Sequence, residues 1–386
     1  MMARVPRPTP SPSRIAPSRV RTWARRTVLA GVMALGACVP IGGCAPDGGA
    51  ASGEPLAVDR VLGETGRQPG QFTYPRGVAA FELQGRPALA VVDKTARIQI
   101  IDERSGEPIG IIRTPSYDLG MPTGLTIAPH PADPARQALW VADTHEHRVL
   151  VYSLPFDAGG DSLEPDLSFG AYGYGPGEFV YPTDIAVIND ASGAPARVFV
   201  SEYGGNDRIS EFAVARDASG TPSFSFVRQI GYSGVAMDAP EDDPAALSRP
   251  QSLSLRRNNT ELVVTDVGRH RIVRFDVATG DLNGWTDGST MADGSPTDAV
   301  LFPYGLELLG DNLAVVCEFG ASRLRVIELD SGRTVSLPGV AGREVGQLAT
   351  PWACVVSGDE LVVLDSGNDR IQVVPLSRLA GAGGVR

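Results

Sequence analysis

The sequence predicts an all-β fold, a closed ring of six repeated sheets, and three observations support this. Short runs rich in Val, Ile and Leu recur through residues 56–376, bounded by Gly, Pro, Asp and Asn, and no helical period runs through them. One three-strand pattern occurs six times in this stretch. Spacing is tight within a copy and loose between copies, which is typical of repeats that keep a core and vary their loops.

Each copy begins with a Pro and an apolar strand, continues with a second strand that ends in Asp or Glu, and then turns to the Arg that starts a third strand. The acid precedes its Arg by 4, 5, 6, 5, 5 and 5 residues, whereas successive Pro residues are 47, 60, 68, 53 and 48 residues apart. The six Pro residues are Pro75, Pro122, Pro182, Pro250, Pro303 and Pro351. The acid–Arg pairs are Asp93 and Arg97, Asp143 and Arg148, Glu202 and Arg208, Asp266 and Arg271, Glu318 and Arg323, and Asp365 and Arg370.

A sheet with two apolar faces needs a neighbour on each side, so six copies are expected to close into a ring. The copies resemble NHL repeats over residues 62–374. The match is closest at Leu361–Val373, and the Gly-rich approaches to the Pro also match, at Gly66–Phe72, Gly173–Phe179 and Gly342–Leu348. The resemblance implies a six-bladed β-propeller with one four-stranded antiparallel blade per repeat.

Closing the ring requires pairing between the two ends of the repeat region. The sixth copy has only three strands, and residues 56–62 read as a strand before the first Pro. We therefore expect this N-terminal strand to complete the last blade. The predicted propeller spans residues 56–376, and residues 377–386 are predicted to be a C-terminal tail.

The first 43 residues predict an export signal peptide. They contain seven Arg and no acid, and the twin pair Arg25 and Arg26 precedes an apolar run, Val28–Gly43. The twin pair indicates the export route for folded proteins. The alternative is a transmembrane anchor, but sixteen residues that include a Pro are short for a bilayer core of about 30 Å.

Two segments, Leu35–Cys38 and Ile41–Cys44, resemble the lipobox of bacterial lipoproteins, which implies a lipidated Cys. We favour Cys44 over Cys38 because a small polar tether, residues 44–55, follows Cys44. The expected location is therefore an exported lipoprotein facing the periplasm or the cell surface. Cys317 and Cys354 remain, either as buried thiols, which we favour, or as a disulfide.

Charge limits the classes of partner. The chain has 34 basic and 45 acidic residues, a net charge of −11; without the seven Arg of the signal the balance is 27 − 45 = −18. Nucleic acids and anionic membrane surfaces both need basic faces, so we expect no nucleic-acid partner and membrane attachment only through the lipid.

The repeated acid–Arg pairs have two interpretations. They form either an acidic ring that binds metal or local pairs that hold the turns of each blade, and recurrence in every copy favours the structural role. His145, His147 and His270 lie in turns of different copies and are expected to be exposed there. In the similar propeller lyases, zinc is held by His residues directly after the blade Pro. None of the six equivalent positions here is His, so we predict no metal and no cofactor.

The same post-Pro positions are the candidate ligand contacts. The first strands of a ring of blades all begin at one axial mouth, where aromatic and hydrogen-bonding side chains recognise ligands. The candidates are Arg76, Thr123, Thr183, Asp184, Gln251, Tyr304 and Trp352. The alternative for Tyr304 and Trp352 is packing between blades.

These observations predict a non-catalytic binding or scaffolding propeller for a protein, peptide or polysaccharide of the cell envelope. The alternative is a metal-dependent hydrolase or lyase with its site at the central channel.

Overall fold

The computed structural model describes residues 53–116, 121–155, 164–234 and 243–379, which belong to one compact unit. They form six four-stranded antiparallel sheets, and the all-β six-bladed propeller predicted from the sequence is confirmed. The predicted signal peptide and both candidate lipidation sites lie outside the described residues. Within the described part of the chain, no helix is long and apolar enough to span a membrane.

The strands follow one another blade by blade. The N-terminal strand is β1 (Arg60–Leu62). Blade 1 contains β2 (Pro75–Leu83), β3 (Arg86–Asp93), β4 (Arg97–Asp102) and β5 (Pro108–Arg113). Blade 2 contains β6 (Gly124–Pro129), β7 (Gln137–Asp143), β8 (Arg148–Ser153) and β9 (Leu167–Phe169). Blade 3 contains β10 (Tyr181–Asn189), β11 (Pro195–Tyr203), β12 (Arg208–Arg216) and β13 (Pro222–Ile230).

The second half of the ring repeats this order. A short parallel pair, β14 (Tyr232–Ser233) and β15 (Ala246–Leu247), precedes blade 4. Blade 4 contains β16 (Pro250–Arg256), β17 (Glu261–Asp266), β18 (Arg271–Asp276) and β19 (Leu282–Thr286). Blade 5 contains β20 (Pro303–Leu308), β21 (Leu313–Glu318), β22 (Arg323–Glu328) and β23 (Thr334–Ser336). A second parallel pair, β24 (Val340–Ala341) and β25 (Gln347–Leu348), leads to β26 (Cys354–Ser357), β27 (Glu360–Asp365) and β28 (Arg370–Pro375) of blade 6. Single 3₁₀ turns occupy Thr144–Glu146, Val267–Arg269, Ser366–Asn368 and Leu376–Arg378.

The core lies between blades rather than within one. Six apolar clusters separate the six pairs of neighbouring blades, and the last of them joins blade 6 to blade 1. The second strand of each blade is buried on both faces, as in Leu89–Val92, where every side chain is fully buried. This explains why the second strands read as continuous apolar runs instead of alternating with polar residues.

An ion pair joins the acid and the Arg of every repeat, at the end of the blade where the first strand begins. In blade 4, Arg271 Nε donates to Asp266 at 2.8 Å, and its Nη2 donates to the carbonyl of Ala246 at 2.6 Å. Asp266 in turn accepts the N–H of Ser248 at 2.7 Å. The pair therefore fastens the approach segment, which precedes the Pro, to its own blade.

Blade 5 achieves the same link with an extra residue. Arg323 pairs with Glu318, but Arg325 also pairs with that carboxylate and donates to the approach-segment carbonyls of Gly288 and Asp298 at 2.7 and 2.8 Å. Arg325 is fully buried. The sequence pattern did not reveal the role of this second Arg, because it lies two residues beyond the repeated Arg.

The N-terminal strand closes the ring as predicted. β1 pairs antiparallel with β28 as the fourth strand of blade 6, with Leu62 opposite Ile371. It is shorter than the predicted residues 56–62, because Leu56 leaves the ladder: its N–H donates to the carbonyl of Gly346 at 2.8 Å, and its side chain packs between blades 5 and 6. At the other end of the chain, Leu379 is buried in the same cluster, and residues 380–386 lie outside the described residues.

Replacing Leu62 by Ala should lower the free energy of unfolding by about 2–4 kcal/mol, because a buried side chain between blades 6 and 1 leaves a cavity. Val61 on the same strand is 39% exposed, so Val61→Ala should cost less than about 1 kcal/mol. Urea unfolding of the two variants checks this. Equal losses would show that β1 does not contribute to the core.

Candidate functional site

A central channel runs between the first strands of the six blades. Its cavity has a volume of about 330 Å³. All seven candidate residues from the sequence line this cavity: Arg76, Thr123, Thr183, Asp184, Gln251, Tyr304 and Trp352. We call the end of the channel where the first strands begin the axial mouth.

Trp352 is the centre of an aromatic cluster at the axial mouth. Its ring centroid lies 4.5 Å from that of Tyr304, 5.8 Å from Tyr74 and 5.8 Å from Phe319, and the three interplanar angles are 62°, 84° and 87°. Tyr304 is only 8% exposed and stacks on Phe319 at 4.6 Å. Tyr304 is therefore mainly packed, whereas Trp352 is half-buried and keeps part of its ring at the mouth.

Two arginines flank this cluster. The guanidinium of Arg76 lies 5.0 Å from the ring centre of Trp352, and that of Arg249 lies 5.2 Å from the ring centre of Tyr203. Arg249 also donates to the hydroxyl of Tyr304 at 3.4 Å. Such cation–π contacts are stabilising, more so where water is excluded.

Neither arginine has an ion pair with any carboxylate of the described residues. Arg76 makes one weak hydrogen bond, from Nη1 to the sulfur of Met121 at 3.7 Å, and its buried Nε has no partner. Burial lowers the pKa of Arg76, because a charged group loses its hydration there. Within the described part of the chain, this positive charge therefore has no carboxylate partner.

The residues directly before two of the Pro residues contact side chains of the mouth, Trp352 in one case and Tyr304 in the other, and the sequence analysis missed them. Tyr74 and Arg249 adopt left-handed backbone conformations, with φ of 53° and 58°. Their N–H groups donate to side chains of other blades, to Asp369 and Asp207 respectively, both at 2.7 Å. Phe302 and Thr350, directly before Pro303 and Pro351, adopt the same conformation with φ of 49° and 43°, so the left-handed residue is a feature of the repeat.

The two threonines among the candidates hold the ring together. Thr123 Oγ1 donates to the carbonyl of Thr183 at 3.0 Å, and Thr183 Oγ1 donates to the carbonyl of Pro250 at 3.0 Å. These bonds join blades 2, 3 and 4 around the channel. The hydroxyls are therefore engaged within the protein, while Gln251, 7% exposed, lines the channel beside them.

Two carboxyl groups lie deeper in the channel. Asp184 accepts the N–H groups of Ile185 and Leu253, both at 2.9 Å, yet loss of hydration raises its pKa to about 7. Glu307 accepts the N–H of Val356 at 3.3 Å, and loss of hydration, with a contribution from Asp184, raises its pKa to about 7. The sequence analysis missed Glu307, which lies four residues after its blade Pro and could have been found from that register.

The turn histidines have structural contacts. His147 Nδ1 contacts the carbonyl of Val180, and His270 Nδ1 accepts the N–H of Phe302 at 3.0 Å. Burial and the nearby charge of Arg76 lower the pKa of His145. Across the residues with described positions, no group of three or more His, Cys, Asp or Glu is placed to hold a metal ion.

Cys317 and Cys354 are both buried free thiols. They belong to the apolar cluster between blades 5 and 6, and Cys354 also lines the channel.

Comparison with known proteins gives structural likeness but no family. No family model matches the chain. Among solved structures, the chain is similar to the β-propeller domain of Myceliophteria thermophila Cps50 (Swd1), with 9% sequence identity and a TM-score of 0.47 over 83% of this chain and 99% of that one. The strand order and register described above define the fold of this chain.

The raised pKa of Glu307 predicts a pH-dependent stability. Its pKa is about 7 in the folded protein and near 4.5 in the unfolded chain, so between these values the folded protein binds more protons and stability falls as pH rises. Between pH 5 and pH 8 the wild type should lose about 1–2 kcal/mol more unfolding free energy than Glu307→Gln. Chemical unfolding at both pH values measures this difference.

Glu82→Gln, an exposed position on β2, is the control and should behave like the wild type. A Glu307→Gln profile identical to the wild type would contradict the prediction.

Proposed function

We propose that this chain is an exported, lipid-anchored, non-catalytic binding protein. Its NHL-type propeller recognises a protein, peptide or envelope polymer through the axial mouth. One observation carries the proposal: Arg76, Arg249 and the Trp352 cluster converge on the mouth of a single channel.

The composition of the mouth favours binding. Trp, Tyr and Arg are the residues that most often dominate binding energy, particularly in partly dehydrated pockets. Trp352 and Arg76 both retain access at the mouth, while Tyr304 and Phe319 pack behind Trp352 and limit its movement. A ring held in place loses little conformational entropy when a ligand binds.

The proposed export and lipid attachment rest on the sequence alone. The Arg25 and Arg26 pair, the apolar run after it and the lipobox-like segment ending at Cys44 support export and lipid attachment. The six copies that resemble NHL repeats support the NHL type. A lipid-anchored domain on a polar tether would present its mouth to partners in the envelope.

Capture of partners from an envelope extract tests the binding role. Trp352→Ala should reduce capture at least tenfold, because truncation of a central aromatic contact typically costs 2 kcal/mol or more. Trp285→Ala, at a 50% exposed position on the outer strand β19, is the matched control and should leave capture intact. Equal capture by both variants would exclude the axial mouth as the binding site.

Metal analysis of the purified protein tests the alternative function. One equivalent of tightly bound zinc or calcium, lost in Asp184→Asn, would support the metal-dependent enzyme instead.

Labelling with a radioactive lipid precursor in a bacterial host tests the anchor. Cys44→Ala should abolish labelling, whereas Cys38→Ala should retain it, because only the Cys that follows the cleavage site is modified. The reverse result would move the anchor to Cys38. Labelling of both single variants would show that neither Cys38 nor Cys44 is the sole site of lipid attachment.

A further inference from the structure

The axial mouth carries two arginines that have no carboxylate partner among the described residues, although the protein as a whole is acidic. Acids outnumber bases by 45 to 34, and the Arg of every blade pair has a carboxylate partner. Arg76 and Arg249 have none among the described residues, and the Nε of Arg76 is buried without a hydrogen-bond partner. A partly dehydrated guanidinium without a counter-ion is unfavourable, and an anionic ligand would remove that cost.

The aromatic rings around Trp352 are steeply inclined to it, so together they do not form a flat platform. Tyr304, Tyr74 and Phe319 meet the ring of Trp352 at 62°, 84° and 87°. Steeply inclined rings receive an apolar or aromatic side chain edge to face, whereas a sugar ring stacks on one flat exposed face. One face of Trp352 already carries the guanidinium of Arg76. This geometry favours a peptide over a polysaccharide.

Charge changes sign along the channel. Arg76 and Arg249 lie at the mouth, and the carboxyl groups of Asp184 and Glu307 line the cavity below them. An anionic group is attracted at the mouth and repelled from the interior wherever these carboxyl groups are ionised. The cavity of about 330 Å³ is at the small end for ligand pockets and has room for a side chain rather than a folded segment.

We infer that the axial mouth binds a peptide carboxylate that is attached next to an apolar or aromatic side chain. The carboxylate pairs with Arg76, assisted by Arg249, and the neighbouring side chain lies against the accessible part of the Trp352 ring. Guanidinium groups recognise carboxylates through directed, charge-assisted hydrogen bonds. This inference rests on the proposed binding function and names the ligand class of that site.

The test compares two probes that differ only at the carboxyl group. N-acetyl-L-phenylalanine carries the carboxylate, and N-acetyl-L-phenylalaninamide replaces it with a neutral amide. Titration of the purified protein, followed by tryptophan fluorescence, should give at least tenfold tighter binding of the acid. Trp352→Phe identifies the responding ring, since it should remove the fluorescence change.

Three arginine variants locate the charge. Arg76→Gln should abolish the preference for the acid, and Arg76→Lys, which keeps the charge but not the planar group, should restore only part of it. Arg86→Gln, at an exposed position at the start of β3, should leave the preference unchanged. Unfolding curves for each variant confirm that the ring is intact.

The remaining outcomes separate the inference from the function on which it rests. Equal binding of acid and amide, both lost in Trp352→Ala, would overturn the carboxylate assignment and leave the binding mouth standing. Inorganic phosphate binding as tightly as the acid would reduce the site to a general anion site, and tighter binding of D-glucuronate would assign it to acidic sugars; either result overturns the peptide assignment. No binding of any probe would also overturn it, while envelope capture by the wild type would still support the proposed function.

Discussion

The ion pair between a buried acid and an Arg at one end of each blade is the interaction on which the remaining structure depends. In blade 3, Glu202 accepts the N–H of Val180 at 2.8 Å, and Arg208 donates to the carbonyl of Gly175 at 2.9 Å. A buried ion pair is favourable only when its remaining hydrogen-bonding groups are also satisfied. Here the approach segment satisfies them, so its course over the blade is fixed. The direction in which each first strand enters the ring follows from that constraint.

Arginine has a different role at the axial mouth than in the blade ion pairs. The blade arginines pair with carboxylates, and five of the six also donate to backbone carbonyls, whereas Arg76 and Arg249 lie over Trp352 and Tyr203 and have no carboxylate partner among the described residues. The fixed approach segments make this possible, because the left-handed residues before Pro75 and Pro250 are held by hydrogen bonds to other blades. A rigid frame can thus keep exposed cationic and aromatic groups in an arrangement suited to a ligand.

The fold was predictable because its signals are local and repeated. The tight spacing from acid to Arg, and the apolar second strands, fixed the number of blades, and the missing fourth strand of the last copy located the closure. The site was only partly predictable. Tyr74 and Arg249, which contact Trp352 and Tyr304, adopt a left-handed backbone conformation that their residue types do not predict. Thr183 forms a hydrogen bond to the next blade, which the sequence also did not predict. Such contacts join residues far apart in sequence, and composition alone does not reveal them.

An NMR signal from the Arg76 side chain would show whether this guanidinium, which has no carboxylate partner among the described residues, is the group that receives the ligand. Its Nε is buried and has no hydrogen-bond partner among those residues, so the Nε–H signal should be observable in the unliganded protein. We expect a saturable shift of this signal on addition of N-acetyl-L-phenylalanine and no comparable shift with the amide. An unchanged signal with the acid, or equal shifts with both probes, would contradict this expectation.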